Sequence, residues 1–532
     1  MNNQAELVNS KVGTEAIPPQ RNIIVFDLAS RKYVEIMMRL AKYKNWKPVH
    51  WFGSLPDDSN KICGQYPQVK YYSKSDVVRL RLPDTVPYIK WPRRDIDVIK
   101  KLAVYDPVLY PVFLREAQRP YGMDQIAEYH EVITTWFYFF EHANPDLVVF
   151  GQMPAHIYDY LPYLLCQERG IPTLLLLKHH HVPGVIMPTN SYEEPPPRIA
   201  ARYKQLIDTN SYLDIKLIGE WQQYLDKMSG TYEKAMYKDF NRRYLLDHKK
   251  DRIKLRDTIY RKLFDVITGK RSIFYARALA REVLTLHRRW LLRWSYESKT
   301  IQPDYNTPYI FVPLHVQPER TSVPQGDIFG HQLLMIEILS RSLPEGWLLY
   351  VKEHPVQLYD RPVFKFFRTP VFYKEILRFK NVRLVPSRIT ARKLIDHARA
   401  VAAVTSTTCW EALFRGKPAL IFGHVWFKFC EGVFHTPTDD KCREAMDKIS
   451  KGYSIDPDKL KACLYAIQEE GVARPKLNVD KNNPETRKQL FDTWSKLVSD
   501  QLSPDGIVIT KDTVDTQKSE DKQFIPLHSL SS

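Results

Sequence analysis

Glycine is scarce in this chain, with 19 residues in 532. No GxxxxGK(S/T) loop occurs, and no GxGxxG follows a predicted strand. Both motifs need glycine where backbone turns tightly against phosphate, so nucleotide kinases and simple dinucleotide-dependent dehydrogenases are poor fits. Zinc-finger spacing, an RNP-like aromatic pattern and a heptad zipper are missing as well. The formal net charge of +17 therefore points away from nucleic acid and toward a lipid surface or a charged glycan as the anionic partner. The six cysteines (Cys63, Cys166, Cys409, Cys430, Cys442 and Cys463) include no CxxC pair. A chain this long needs no stapling, so a reducing compartment is expected. Residues 1–20 lack an apolar signal core, and runs such as Leu174–Leu177 are far too short to span a bilayer. The expectation is a cytoplasmic protein, peripheral at most to the inner face of the plasma membrane.

What is present is alternation. Asn22–Asp27 reads as a buried parallel strand, Lys32–Tyr43 as a helix, and Pro48–Phe52 as the next strand. Helix Asp124–Phe140 leads into strand Asp146–Phe150, and helix Ile157–Glu168 into strand Pro172–Leu177. After a break the rhythm resumes with strands Tyr309–Leu314, Trp347–Val351, Val382–Val385, Ala400–Val404 and Ala419–Phe422. Helices Gly330–Ser342, Ala391–Ala398 and Trp410–Phe414 lie between them, and Pro457–Glu470 and Pro484–Ser499 follow. Strands alternating with helices predict an α/β fold, a pair of Rossmann-type domains with parallel sheets. The expected division is a tail at 1–20, an α/β domain at 21–200, a basic helical insertion at 201–304, a second α/β domain at 305–475, a helix at 476–502 and a tail at 503–532. Residues 238–299 hold 18 Lys/Arg against 7 Asp/Glu, a local net of +11. They include Arg288-Arg-Trp-Leu-Leu-Arg-Trp294. Two readings stand: a solvated connector, or a surface that rests on anionic lipid.

Open α/β sheets bind ligands beyond the carboxyl ends of their strands, which directs attention to three segments. The loop Val316–Gly326 carries Glu319 and Arg320 directly after a strand. Lys352-Glu-His-Pro355 follows another; Pro355 stops the ladder and leaves Lys352 and His354 at the sheet edge, where both can donate to phosphate and His354 can neutralise a departing one. Thr405-Ser-Thr-Thr408 opens a helix, where backbone N–H groups and hydroxyls favour an anion. Four hydroxyls exceed what one N-cap needs, and Glu411 is placed in the first helical turn to meet ribose hydroxyls or balance the dipole.

Gln317-Pro-Glu-Arg-Thr321, Val351-Lys-Glu-His-Pro355 and Thr405–Thr408 running into Trp410-Glu-Ala-Leu-Phe-Arg-Gly-Lys-Pro-Ala-Leu-Ile-Phe-Gly423 together resemble the capsule polysaccharide biosynthesis protein family. That family includes transferases of the acidic sugar Kdo from its CMP-activated form. The resemblance covers residues 305–430 well and the N-terminal half loosely, by strand order. It implies a GT-B-like fold with the acceptor on 21–200 and the donor nucleotide on 305–475. By resemblance His354 and Pro355 match the family's His-Pro motif, Ser406 and Thr407 its hydroxyl motif, and Glu411 its Glu-Ala-Leu motif. The implied activity is a metal-independent glycosyltransferase without cofactor. Its donor would be a CMP-linked acidic sugar or an NDP-sugar, and its acceptor a surface or capsular polysaccharide or a lipid-linked glycan.

Where Kdo transferases carry an acidic motif with Gly and Arg, this chain reads Lys178-His-His-His-Val-Pro-Gly184. Neighbouring residues of an extended segment face opposite sides, so the three histidines do not share one metal site. The general base is open among His180, Glu193, Asp27 and Glu319. Asp95-Ile-Asp97 reads as helix-start charge rather than a metal site. A nucleotide-sugar epimerase and a non-enzymatic capsule assembly or export protein are the alternative functions.

Overall fold

The computed structural model describes residues 20–26, 37–38, 41–42, 44–53, 57–74, 77, 92–117, 123–178, 182–183, 185–230, 268, 284, 287–359 and 368–473. Most of the predicted helix Lys32–Tyr43, most of the basic stretch 238–299, the helix Pro484–Ser499 and nearly all of both tails lie outside them.

Among the described residues thirteen strands form two sheets. The first has the order β13-β6-β5-β4-β1-β2-β3, with β1 at Arg21–Phe26, β2 at Trp46–Gly53, β3 at Lys70–Ser73, β4 at Leu147–Phe150, β5 at Thr173–Lys178, β6 at Val185–Thr189 and β13 at Val472–Ala473. Its body is parallel, and β6 runs antiparallel to β5 and β13. The second is wholly parallel in the order β12-β11-β10-β7-β8-β9. Its strands are β7 at Tyr309–Pro313, β8 at Leu348–Lys352, β9 at Val382–Leu384, β10 at Ala400–Ala403, β11 at Ala419–Ile421 and β12 at Val433–His435. The predicted pair of parallel-sheet α/β domains is therefore observed.

Helices of the first unit are α1 (Asp57–Gln65), α2 (Ile96–Leu102), α3 (Asp106–Ala117), α4 (Met123–Ala143), α5 (Ile157–Arg169), α6 (Pro197–Asp208) and α7 (Gly219–Met228). Those of the second are α8 (Leu333–Ser342), α9 (Pro355–Tyr359), α10 (Pro370–Ile376), α11 (Ala391–His397), α12 (Thr407–Leu413), α13 (Asp439–Ser450) and α14 (Pro457–Glu470). Residues 287–297 are also helical. No described helix is long and apolar enough to cross a membrane.

Strand alternation explains the layers. In β1, Ile24 and Phe26 face one apolar cluster while Ile23 and Val25 face another; in β7, Tyr309 and Phe311 oppose Ile310 and Val312 in the same way. Because both faces are covered, these strands read as unbroken apolar runs. One cluster is continuous across both units, joining Phe26 and Phe150 to Tyr309, Trp410 and Leu464. Phe26 stacks on Phe52 at 4.5 Å and on Phe150 at 5.1 Å, and Phe52 stacks on Tyr72 at 4.7 Å, so aromatic rings floor the carboxyl edge of the first sheet.

The chain's last described segment returns to the first unit. Helix α14 packs on α6 through Arg202–Glu469 at 2.6 Å and Arg198–Glu470 at 3.1 Å, and β13 pairs with β6. Residues 457–473 thus join the first sheet, although they follow the second in sequence and fall within the expected 305–475 domain. Cys430 and Cys463 are joined as a disulfide with Cα atoms 5.8 Å apart, while Cys63, Cys166, Cys409 and Cys442 are free. The reading that no stapling is needed did not anticipate that pair.

Trp410 links the units. It is 1% exposed, lies against Phe414, Trp426 and Phe427, and donates to the Tyr224 hydroxyl of α7 at 2.7 Å. Trp410→Ala leaves a large void and is expected to cost about 3–5 kcal/mol in urea unfolding followed by circular dichroism; a loss under about 1 kcal/mol would contradict this packing.

Candidate functional site

Each sheet has one place where the chain order reverses. In the second sheet the chain builds β7, β8 and β9 to one side, then β10, β11 and β12 to the other. The loops after β7 and β10 begin there, at the carboxyl edge where open α/β sheets place their ligand crevice.

His315, directly after β7, spans this crevice. Its Nε2 accepts the N–H of Thr405 at 3.1 Å. Its own N–H donates to Gln332 Oε1 at 2.7 Å, and its carbonyl accepts from Arg368 at 3.2 Å. An accepting Nε2 puts the proton of the neutral ring on Nδ1. Burial, then the nearby His354 and Arg368, push its pKa down to about 3.

His354 sits beyond β8. Its Nδ1 accepts the N–H of Val356 at 3.2 Å, so the neutral ring carries its proton on Nε2. Burial and then the charge of Lys352 lower its pKa to about 4. Burial thus favours the neutral ring of His354, with its N–H at Nε2. Lys352 is 8% exposed, and burial brings its pKa down to about 8 against the opposing charges of Glu353 and Glu297. Pro355 does more than stop the strand: it opens α9, where its missing N–H costs nothing.

Beneath these residues lies a buried ion pair. Glu353 is 0% exposed and its carboxylate meets the Arg368 guanidinium at 3.1 Å. Glu353 also accepts from the Tyr373 hydroxyl at 2.8 Å and from the His354 N–H at 2.8 Å, and Arg368 lies 3.8 Å over the Phe372 ring. A buried pair survives only when its remaining polar atoms are met. Here the Glu353 carboxylate meets its needs in part through the backbone N–H of His354.

The hydroxyl cluster divides its tasks. Thr405 donates its hydroxyl to the Thr321 carbonyl, which ties down the loop after β7. Ser406 N-caps α12, accepting from Thr408 N–H at 3.2 Å. Two of the four hydroxyls, Thr405 and Ser406, thus have structural partners, and a single one of them serves as the N-cap. Thr407 is exposed at the first helical position, where a backbone N–H has no intrahelical partner. Helix α12 begins at Thr407, earlier than predicted, so Glu411 falls in the second turn and not the first. Glu411 lies near Tyr224 of α7, whose pKa its charge helps to raise.

The loop carrying Glu319 and Arg320 is pressed onto the strand ends. A Cβ on Gly326 would meet the Ser322 carbonyl, and one on Gly423 would come 2.6 Å from the Gln325 carbonyl. Glycine is needed at both places. Glu319 and Arg320 themselves are exposed, and desolvation by neighbouring protein raises the Glu319 carboxyl above its usual range. The same loop reaches the first unit, because Arg115 of α3 donates to the Val323 carbonyl at 2.5 Å.

Glu193 stands on the other side of that junction, near Tyr160, Tyr163 and Tyr192, whose pKa values are raised first by burial and further by its charge. Asp27 and His180 lie outside the described residues. Asp95 caps α2, accepting from Asp97 N–H at 2.9 Å, and its other oxygen accepts from Tyr138. Among the described residues no three His, Cys, Asp or Glu side chains are grouped to hold a metal ion. Sequence reasoning missed His315, Gln332, Glu353 and Arg368. The signal for His315 was its place one residue past Leu314, at the same edge as His354.

The buried histidines set a pH dependence. His50 and His354 are lowered by burial to about 4, and His315 and His424 to about 3. Each folded value lies below the unfolded one. The stability they contribute is therefore whole above about pH 6.5 and is lost as pH falls toward the folded values. His315→Gln keeps an acceptor for Thr405 but cannot titrate. It should remove about 2 kcal/mol of the stability loss between pH 7 and pH 5, measured by denaturant unfolding. An unchanged pH slope would show that His315 is not held neutral.

Residues 285–451 match the family model described as capsule polysaccharide biosynthesis protein. No curated protein matches the chain. Among solved structures, the chain is similar to KpsC of Thermosulfurimonas dismutans, a beta Kdo 2,7 transferase, at 17% identity and a TM-score of 0.22. That likeness covers 35% of this chain and 55% of the other, so the chain spans about half of that relative's length. It is also similar to the UDP-GlcNAc 2-epimerase of Methanocaldococcus jannaschii, at 10% identity and a TM-score of 0.25 over 85% of this chain and 99% of that one. The UDP-GlcNAc 2-epimerase of Neisseria meningitidis, bound to UDP-GlcNAc, matches at 10% identity and a TM-score of 0.22 over 91% and 99%. The matched stretch, residues 285–451, takes in β7 to β12 and the loops that follow β7, β8 and β10, so the likeness to the capsule polysaccharide biosynthesis protein family falls on the second sheet and its carboxyl edge.

Proposed function

We propose that the chain is a glycosyltransferase that moves a sugar from a nucleotide-activated donor to a surface or capsular polysaccharide or a lipid-linked acceptor. The observation that carries this reading is the joining of the β7 and β10 ends by His315 and Thr405 at the switch point of the second sheet, with His354 at the end of neighbouring β8, inside the segment that matches the capsule family model. In the proposed complex the donor's phosphate lies between His354 and the start of α12. His354 donates from Nε2, Lys352 supplies positive charge from below, and the Thr407 N–H and Arg320 complete the ring of donors. Pro355 and Ser406 hold this cradle in shape, and Thr405 fastens the loop that closes it. Glu411 would meet the nucleoside from the side of α7.

Such fixed donors act where charge develops on the leaving phosphate and need no reorganisation during the reaction. An entering phosphate anion also favours the protonated form of His354, so charge neutralisation returns once the donor is bound. An epimerase would use the same cradle without an acceptor. Mass analysis of the products distinguishes an extended glycan from an isomerised sugar nucleotide.

The test is calorimetry of the full chain with CMP, UDP and GDP. One of the three should bind the wild type, and His354→Ala should weaken that binding about tenfold to a hundredfold, the worth of one hydrogen bond to a charged group. No binding of any nucleotide to the wild type would favour a non-enzymatic assembly protein.

The membrane partner belongs to the same proposal. On the helical stretch 287–297, Leu292 and Tyr296 are buried while Trp290 and Trp294 are 56% and 58% exposed. Their rings stack at 6.3 Å, and Arg288, Arg289 and Arg293 share the stretch. Exposed tryptophan beside arginine suits the headgroup region of an anionic membrane. The chain should sediment with vesicles containing phosphatidylglycerol and not with pure phosphatidylcholine. The double variant Trp290→Ala/Trp294→Ala should reduce that binding severalfold, and equal binding by variant and wild type would remove this face from the account.

A further inference from the structure

The first sheet has its own switch point. Its chain order reverses between β1 and β4, so the loop after β4, residues 151–156, lies at the edge where open α/β sheets bind ligands. The residue that ends this loop is His156, the N-cap of α5.

Three interactions hold His156 in one pose. Its Nδ1 lies 2.7 Å from Glu116 Oε1, and the same oxygen accepts the Ile157 N–H at 3.1 Å. The carboxylate of Asp159, 2% exposed, accepts the backbone N–H groups of Ala155 at 2.8 Å and His156 at 2.6 Å. The imidazole stacks on the Tyr158 ring with centroids 5.0 Å apart and planes within 7°. Glu116 is 18% exposed and the histidine 37% exposed, so the dyad is anchored inside and open outside. A carboxylate on Nδ1 keeps the proton there and leaves the Nε2 lone pair as a base, the arrangement of histidine and carboxylate in hydrolase triads.

The dyad also adjoins the junction with the second unit. Arg115, next to Glu116, donates both to the Ala155 carbonyl and to the Val323 carbonyl of the loop that carries Glu319 and Arg320. The charge of Arg320 is close enough to act on Arg115.

We propose that His156 is the general base for the acceptor hydroxyl, with Glu116 as its positioning residue. This rests on the transfer reading above. In the step, the acceptor's O–H proton passes to His156 Nε2 while the oxygen lone pair forms a bond to the anomeric carbon of the donor. The bond from that carbon to the phosphate oxygen breaks, and its electron pair leaves on the nucleotide, where the His354 N–H and its neighbours meet the charge. The imidazolium then returns its proton to water. No electrons are exchanged with a further reagent.

The experiment follows nucleotide release by the full chain from CMP-Kdo and a set of UDP-sugars, with glycolipid extract as acceptor, alongside calorimetry with CMP and UDP. His156→Ala should lower kcat about a hundredfold or more, with KM and nucleotide affinity within threefold of wild type. The acidic limb of its pH profile should vanish, and added imidazole should restore part of the rate. His156→Gln, which can still pair with Glu116, should be folded and equally slow. Glu116→Gln keeps an acceptor for Nδ1–H and should be faster than Glu116→Ala, both at unchanged KM. A His156→Ala enzyme with at least half of wild-type kcat would overturn the assignment while leaving sugar transfer intact. So would a loss in both His156 variants that tracks lost thermal stability or lost nucleotide affinity. A wild type that binds nucleotide but releases none from any donor would overturn the transfer reading and this assignment with it.

Discussion

One hydrogen bond organises the second crevice: the Thr405 N–H donating to Nε2 of buried His315 across 3.1 Å. It joins the ends of β7 and β10 where the sheet's chain order reverses, so neither loop can swing away without orphaning a buried polar group. Everything nearby depends on it. The Thr405 hydroxyl holds Thr321, Arg368 reaches the His315 carbonyl, and the partner of Arg368, Glu353, fixes the backbone of His354. The neutral state of both histidines follows from the same enclosure. A charged imidazole at this depth would pay desolvation with Arg368 or Lys352 beside it.

The two units use the same topology toward different ends. Each sheet turns back once, and at each reversal lies a histidine whose ring nitrogen meets a neighbour. In the second unit the neighbours are backbone N–H groups, which make His315 an acceptor at Nε2 and His354 a donor there. In the first unit the neighbour is the Glu116 carboxylate, 2.7 Å from Nδ1 of His156, which suits the proposed role of His156 as a base. Arg115 bonds both loops, so the crevices are held near one another by main-chain carbonyls rather than by a mobile salt bridge. The return of α14 and β13 to the first sheet adds a second tie at the far end.

The sequence made the strands and their carboxyl ends legible, because buried parallel strands are short apolar runs and proline or hydroxyl residues mark where they stop. That was enough to put His354, the loop of Glu319 and Arg320, and the hydroxyl cluster at the ends of their strands. It failed where a role depends on a distant partner. His315 and Thr405 are 90 residues apart, and Glu116 and His156 are 40 apart. Neither pair leaves a local pattern. The same holds for Thr405: it binds Thr321, 84 positions away, a structural duty that spacing cannot reveal. The short β13 was invisible because two residues carry no period.

The central claim is that three sequence-distant loops form one phosphate cradle. Hydrogen–deuterium exchange of the full chain, with and without saturating CMP and separately UDP, tests it most directly. The account predicts that one nucleotide slows exchange together at residues 315–326, 353–356 and 404–409. Protection confined to other segments, or none with either nucleotide, would contradict it.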